Sequence, residues 1–276
     1  MKWYPAPAKL NLFLHVLGRR QEGEHAGYHE LQTVFRLIDR ADRVGIAPRA
    51  DGEIRFSGLF GGDNLVVRAA RLLQSETGSG KGAELALDKV IPVGGGLGGG
   101  SSDAATVLLV LDRLWRLALG RARLLQIATQ LGADVPLFVY GRNALGEGIG
   151  EQLQALELPA AWYLVLVPQV SVSTKEIFGA ALTADTKRLK IPPFFSGQGR
   201  NDLEAAVVAR HPEVDAHLRW LRQHCPQARM TGSGACVFAE FRSETEARAL
   251  HAQLPRAMSG FVARGLDRHP LCEWHD

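Results

Sequence analysis

One stretch of this chain narrows its architecture more than any other. From Gly94 to Gly100 six of seven residues are glycine, Leu97 being the exception, and Ser101 and Ser102 follow directly. Upstream, Ala83, Leu85, Leu87 and Ile91 alternate as in a strand that runs into Pro92. Downstream, Ala104, Leu108, Leu111, Trp115 and Ala118 share one helical face. A linker is not framed by a strand and an amphipathic helix. Without Cβ atoms the run can take φ > 0 and bring backbone close to a bound group. The helix start beyond it offers unpaired N–H groups and a partial positive charge, which suits an anion. The two serine hydroxyls add capping or phosphate contacts, and a triphosphate fits this chemistry.

Two other nucleotide motifs fit less well. Gly94-x-Gly96-x-x-Gly99 matches the dinucleotide pattern, which also calls for an acid ~20 positions further on. Leu117 to Ala122 continues the helix there and holds no acid. A Walker A reading at Gly80-Lys81 fails, with Ser75 where glycine is needed and Gly82 where Ser or Thr is needed.

The chain has 276 residues, 46% hydrophobic and 22% charged, which supplies a sizeable core and excludes a disordered chain. At ~100–200 residues per domain it suits one large domain or two modest ones. A net charge of +3, with the basic residues spread out, gives no phosphate-tracking face, so nucleic acid is not an expected partner. The apolar run from Trp162 to Val167 is far short of the ~20 residues of a membrane span. Cys225, Cys236 and Cys272 lack CxxC spacing, which argues against a disulfide framework or a zinc site. Met1-Lys2-Trp3-Tyr4-Pro5 carries no apolar h-region, and the expectation is a reduced, cytoplasmic protein.

Strands and helices alternate along the rest. Leu10, Leu12, Leu14 and Val16 read as a half-buried strand whose other face carries Lys9, Asn11, Phe13 and His15. Asn64 precedes a helix, and a second helix over 122–131 ends in the Gly132-Ala133-Asp134-Val135-Pro136 corner. Ser173-Thr174-Lys175-Glu176 has capping-box spacing, 186–200 reads as a loop, and Pro212 divides two helices. Met230 to Phe241 reads as strand, turn, strand. The segment 141–160 commits to nothing and marks a domain boundary. The expected fold class is α+β with two domains, 1–155 and 156–276. On these grounds alone Lys9 is either a charge held for chemistry or an exposed strand edge. Asp134, next but one to a proline, is either reactive or a helix cap.

The string Pro92-Val93-Gly94-Gly95-Gly96-Leu97-Gly98-Gly99-Gly100-Ser101-Ser102 followed by Asp103-Ala104 resembles the phosphate loop of the GHMP (galactokinase, homoserine, mevalonate, phosphomevalonate) kinase superfamily. Pro7-Ala8-Lys9-Leu10-Asn11-Leu12 is similar to that superfamily's first strand, and Met230 to Phe238 to its C-terminal glycine motif. Gly27-Tyr28-His29 and the 132–136 corner resemble the branch whose acceptor is a methylerythritol carried on cytidine diphosphate.

The resemblance implies a two-domain ATP-dependent kinase of isoprenoid precursor synthesis, with magnesium accompanying ATP and no metal ligands assigned. It makes Lys9 and Asp134 the catalytic pair and the residues from Pro92 to Ser102 the ATP loop. Asn64 and Lys89 are expected at the adenine, Asn11 at the erythritol, and Tyr28, His29 and Phe178 at the cytosine. Asp103 departs from the usual Asn, and Arg19 to Ala26 makes a longer loop than the family pattern. The competing readings are a GHMP kinase for mevalonate, homoserine or a sugar, and a nucleotide-sensing module without chemistry. Oligomeric state stays open.

Overall fold

The computed structural model describes residues 1–22, 27–58, 64–179 and 199–274. Most of the expected 186–200 loop, and residues 23–26 of the long hairpin loop, therefore lie outside the described residues.

Two long strands form the spine. β1 (Lys2–Arg19) runs antiparallel along one edge of β2 (His29–Arg49), from Lys2 opposite Ile46 to Arg19 opposite His29. The register slips between Pro7 and Ala8, where proline cannot donate to the ladder. The other edge of β2 is shared by three strands. β4 (Gly82–Asp88) pairs along Arg43–Arg49, with β3 (Ile54–Ser57) parallel beyond it. A hairpin of β5 (Ala144–Gly148) and β6 (Gln152–Ala155) pairs along Leu31–Phe35. Between them β10 (Gly260–Leu266) meets Leu37 and Ile38, then continues against β7 (Trp162–Leu166). β9 (Val237–Phe241) and β8 (Arg229–Met230) complete the sheet. The segment 141–160, read as uncommitted, thus contains a hairpin whose glycines obscured its alternation.

Helices cover the sheet in two groups. α1 (Leu65–Thr77), α2 (Gly99–Trp115), α3 (Gly120–Thr129) and α4 (Val135–Tyr140) pack with Leu37, Ile46 and Leu85 in one core. Asn64 caps α1 by accepting from Val67 N at 3.1 Å, and Gly78 ends it at φ 64°. Trp115 is 1% exposed and donates from Nε1 to Gly82 O at 3.1 Å, tying α2 to β4. A second core gathers α6 (Glu204–Val208), α7 (Pro212–His224) and α8 (Glu244–His251) with α5 (Thr174–Gly179) over β7 and β9. Pro212 opens α7 as expected.

A third cluster joins the two, with Leu10 and Phe13 of β1 beside Leu97, Tyr163 and Phe238. Contrary to its alternating pattern, β1 is not half-buried. Lys9, Asn11 and His15 are as covered as Leu10 and Leu12, because the glycine segment and the 231–236 turn lie across the supposed outer face. Cys225, Cys236 and Cys272 are free thiols.

Candidate active site

The chain leaves the sheet at Asp88, and the glycine run turns back over β1 and enters α2. Gly94, Gly96 and Gly98 take φ of 69°, 75° and 70°, a region that side chains with a Cβ avoid. The run is stitched from both sides. Lys9 N donates to Leu97 O at 3.0 Å, while Ala235 N and Cys236 N donate to Gly94 O at 3.3 Å and Gly95 O at 3.1 Å. Part of the glycine requirement is therefore packing against the chain itself. Gly98 is the N-cap of α2 and supplies no side-chain cap, so first-turn N–H groups stay available to an anion. Ser101 lines the cavity there; Ser102 is fully buried, with no partner for its Oγ among the described residues.

Lys9 is the focus of β1. Its ammonium has three donors and three acceptors around it. Nζ donates to Asn11 Oδ1 at 2.5 Å and to Gly96 O at 2.9 Å, and lies 3.4 Å from Asp134 Oδ2. Asn11 is held in turn, with Nδ2 donating to Thr33 Oγ1 at 2.8 Å and its backbone N to Thr231 Oγ1 at 2.9 Å. The exposed-edge reading of Lys9 fails at 2% exposure. Asp134 occupies the N-cap position of α4, yet its side chain makes no capping bond and faces Lys9. The corner between Gly132 and Pro136 sets it there.

Lys89 and Asp103 form a second charged group under the same loop. Lys89 Nζ donates to Asp42 Oδ2 at 2.5 Å and to Asp103 Oδ2 at 2.8 Å. Burial alone would lower the Lys89 pKa, but the two carboxylates outweigh it and the pKa is raised. Asn64 and Lys89 both line the cavity, although Asn64 Oδ1 is engaged in the α1 cap and the Lys89 ammonium in this cluster.

On the opposite wall Arg20 N donates to Tyr28 O at 2.8 Å and Gly27 N to Arg20 O at 2.9 Å, closing the base of the long loop. Tyr28 stands 59% exposed beside the cavity. The His29 and Phe178 rings approach to 5.5 Å between centroids at 38°. Burial first, then Arg19, lower the His29 pKa, so the ring is neutral near pH 7 and offers one donor and one acceptor. Thr174 Oγ1 and Ser233 Oγ share a hydrogen bond of 2.7 Å nearby.

Lys9, Asn11, Asp134, the glycine run, Lys89 and the Tyr28–His29–Phe178 wall all border one cavity of about 1200 Å³, which Ser102 does not reach. That is more than a drug-sized ligand needs and room for two substrates side by side. Thr33, Thr174 and Ser233 line it without having been expected, and Thr231 and Asp42 support it from behind. Thr231 and Ser233 sat within the C-terminal glycine motif, which was the one available signal. Among the described residues no group of three or more His, Cys, Asp or Glu could cage a metal. That donor set does not fit a resident magnesium ion.

Fold and site together define a small-molecule kinase of the GHMP class. The family models for the GHMP kinases N terminal domain and the GHMP kinases C terminal match residues 64–142 and 185–260. A curated relative from Thiobacillus denitrificans named 4-diphosphocytidyl-2-C-methyl-D-erythritol kinase is 58% identical, covering 98% of each chain. One of the same name from Nitrosospira multiformis is 57% identical, covering 97% of this chain and 92% of its own. A crystal structure titled 4-(cytidine 5'-diphospho)-2C-methyl-D-erythritol kinase superposes with a TM-score of 0.82 at 34% identity, covering 96% and 99%. A mevalonate kinase at 15% identity and a TM-score of 0.70 shares the fold. The chain belongs to the 4-diphosphocytidyl-2-C-methyl-D-erythritol kinase family.

Proposed function

We propose that this chain transfers the γ-phosphoryl group of ATP to the 2-hydroxyl of 4-diphosphocytidyl-2-C-methyl-D-erythritol, a step of non-mevalonate isoprenoid precursor synthesis. The observation that carries the reading is the buried Lys9 ammonium, 3.4 Å from Asp134 and bonded to the glycine loop at Gly96. A sensing module has no need to hold a cation between a carboxylate and a phosphate loop.

Phosphoryl transfer asks mainly for alignment and charge stabilisation. In our reading the segment from Pro92 to Ser101 and the start of α2 cradle the phosphates. Asn64 and Lys89 border the nucleotide base side. Tyr28 and Phe178 hold the cytosine between aromatic faces, and neutral His29 reads its edge. Asn11 faces the erythritol. Asp134 accepts the proton of the attacking hydroxyl as the bond to phosphorus forms, a role usually contributing ~10²–10⁴-fold. Lys9 keeps Asp134 ionised and offsets charge on the moving phosphoryl group. The loop would meet less negative charge with ATP carried as its magnesium complex. We assign the glycine-rich nucleotide loop to an N-terminal domain, 1–155, followed by a C-terminal domain, 156–276. Among the described residues no helix is long and apolar enough to cross a membrane.

The test is a coupled ADP-release assay with MgATP and the cytidine substrate, run beside mevalonate and homoserine. Release that depends on the cytidine substrate alone is the expected result. ATP binding with no acceptor phosphorylated overturns the acceptor while sparing the loop assignment.

A further inference from the structure

The cluster beneath the glycine loop holds more charge than phosphate binding requires. Asp42 on β2, Lys89 just past β4 and Asp103 one turn into α2 meet there, with Asp42 0% and Asp103 1% exposed. One ammonium faces two carboxylates, so the ionised trio keeps an excess negative charge in a dry place.

The two acids are not equivalent. Asp42 Oδ1 accepts from Val90 N at 2.5 Å and Ile91 N at 2.8 Å, and Oδ2 accepts from Lys89. Both of its oxygens are satisfied as an anion. Asp103 has Lys89 on Oδ2, while its buried Oδ1 has no donor among the described residues. A proton on Asp103 would remove the excess charge and let it donate to Asp42. Burial above all raises the Asp103 carboxyl; Lys89 pulls it down and Asp42 raises it again, leaving it at about 7. The neighbouring charges have partners of their own: Arg40 donates to Val90 O at 3.3 Å and Arg43 pairs with Asp88 at 2.5 Å. Lys9, on β1, is engaged by Asn11, Gly96 and Asp134, and Arg68, on α1, is exposed.

The place of this cluster is what makes its protonation matter. Lys89 Nζ lies 3.0 Å from where a Cβ on Gly99 would stand, at the first residue of α2. Asp103 itself borders the cavity. A phosphate chain at that helix start brings several negative charges towards a carboxylate already short of partners, and competes with it for Lys89.

We propose that Asp103 takes up a proton when the phosphate chain of a nucleotide seats at the start of α2, so that nucleotide binding is coupled to pH. This rests on the nucleotide reading of the glycine loop. Since the bound form holds the proton more tightly, affinity is flat below the free chain's titration point. It then falls as pH rises, by up to ~tenfold per unit for one proton.

Calorimetric titration of the full chain with ADP and magnesium at pH 8, in buffers of different ionisation enthalpy, reads the proton number directly. At that pH the nucleotide phosphates are ionised, so uptake reports the protein. The wild-type chain should take up a substantial fraction of a proton per ADP. Asp103→Asn should take up none and bind with an affinity independent of pH between 7 and 9. Wild-type binding without buffer dependence overturns the proposal and leaves the loop reading standing, with no variant needed. Equal uptake by Asp103→Asn assigns the proton elsewhere and overturns it too. No binding heat, with no shift of the melting temperature by ADP, overturns both.

Discussion

Replacing Gly96 by alanine puts a methyl group where the surrounding backbone leaves no room. A Cβ at that position would lie 2.2 Å from the Thr231 carbonyl oxygen and 3.1 Å from that of Gly234. Both are backbone atoms of a turn that is itself hydrogen-bonded to the loop, so neither can swing aside as a side-chain end can. The residue also sits at φ 75°, which costs an L-residue about 1–2 kcal/mol. Displacing packed backbone adds about 1–3 kcal/mol, for a loss of about 2–5 kcal/mol. Gly100 is the internal control. It lies inside α2, and its nearest neighbour to a new Cβ is Leu65 Cδ1 at 3.4 Å, an ordinary contact. Alanine there should add about 0.5–1 kcal/mol. At roughly 2–4 °C per kcal/mol, thermal unfolding of the ligand-free chain should drop by at least about 4 °C for Gly96→Ala and rise slightly for Gly100→Ala. Turnover of Gly96→Ala should fall as well, since its carbonyl accepts from Lys9. Wild-type melting for Gly96→Ala, or an equal loss for Gly100→Ala, would refute the claim that this glycine is fixed by the turn behind it.

Thr231→Val keeps the shape but leaves the buried Asn11 N–H without its acceptor, so stability should fall by about 1–3 kcal/mol in urea unfolding. Phe178→Ala removes the ring beside His29; KM for the cytidine substrate should rise about 2–10-fold, with kcat and KM for ATP little changed. His269 is held at about 3 by burial, with Arg121 adding to it, so between about pH 6.5 and 3 the unfolded chain binds a proton that the folded chain does not. Its contribution is intact above pH 6.5 and is lost as pH falls; His269→Asn should flatten the fall of unfolding free energy by up to ~1.4 kcal/mol per pH unit.

The parts of the fold that were legible are those where one pattern governs one face. The glycine run, the amphipathic α2 and the Asn64 cap each rest on local backbone rules, and the structure has them close to where the sequence puts them. The exception is that α2 stops at Trp115, and Ala118, expected on its face, lies beyond it at φ 52°. β2 escaped because charged residues crowd it: Arg36, Asp39, Arg40, Asp42 and Arg43 hide any alternation. Two of them, Arg36 and Asp42, are fully buried, and Asp42 finds its partner 47 residues away at Lys89. The same distance hid the charge cluster beneath the loop. Lys9 was visible as a residue but not as buried, since what covers it comes from Gly96 and from the turn at Thr231. Asp134 was legible through its corner, because Gly132 and Pro136 constrain the chain locally. Its pairing with Lys9 could come only from the resemblance or the structure.

The central claim is that Asp134 acts as the base opposite Lys9, and Asp134→Asn tests it most directly. The amide keeps the shape of the side chain and removes its capacity to take a proton. Single-turnover phosphorylation of 4-diphosphocytidyl-2-C-methyl-D-erythritol should slow by at least ~100-fold, while calorimetry shows nucleotide binding near the wild-type affinity. A rate within a few-fold of wild type would contradict the account and remove Asp134 as the base.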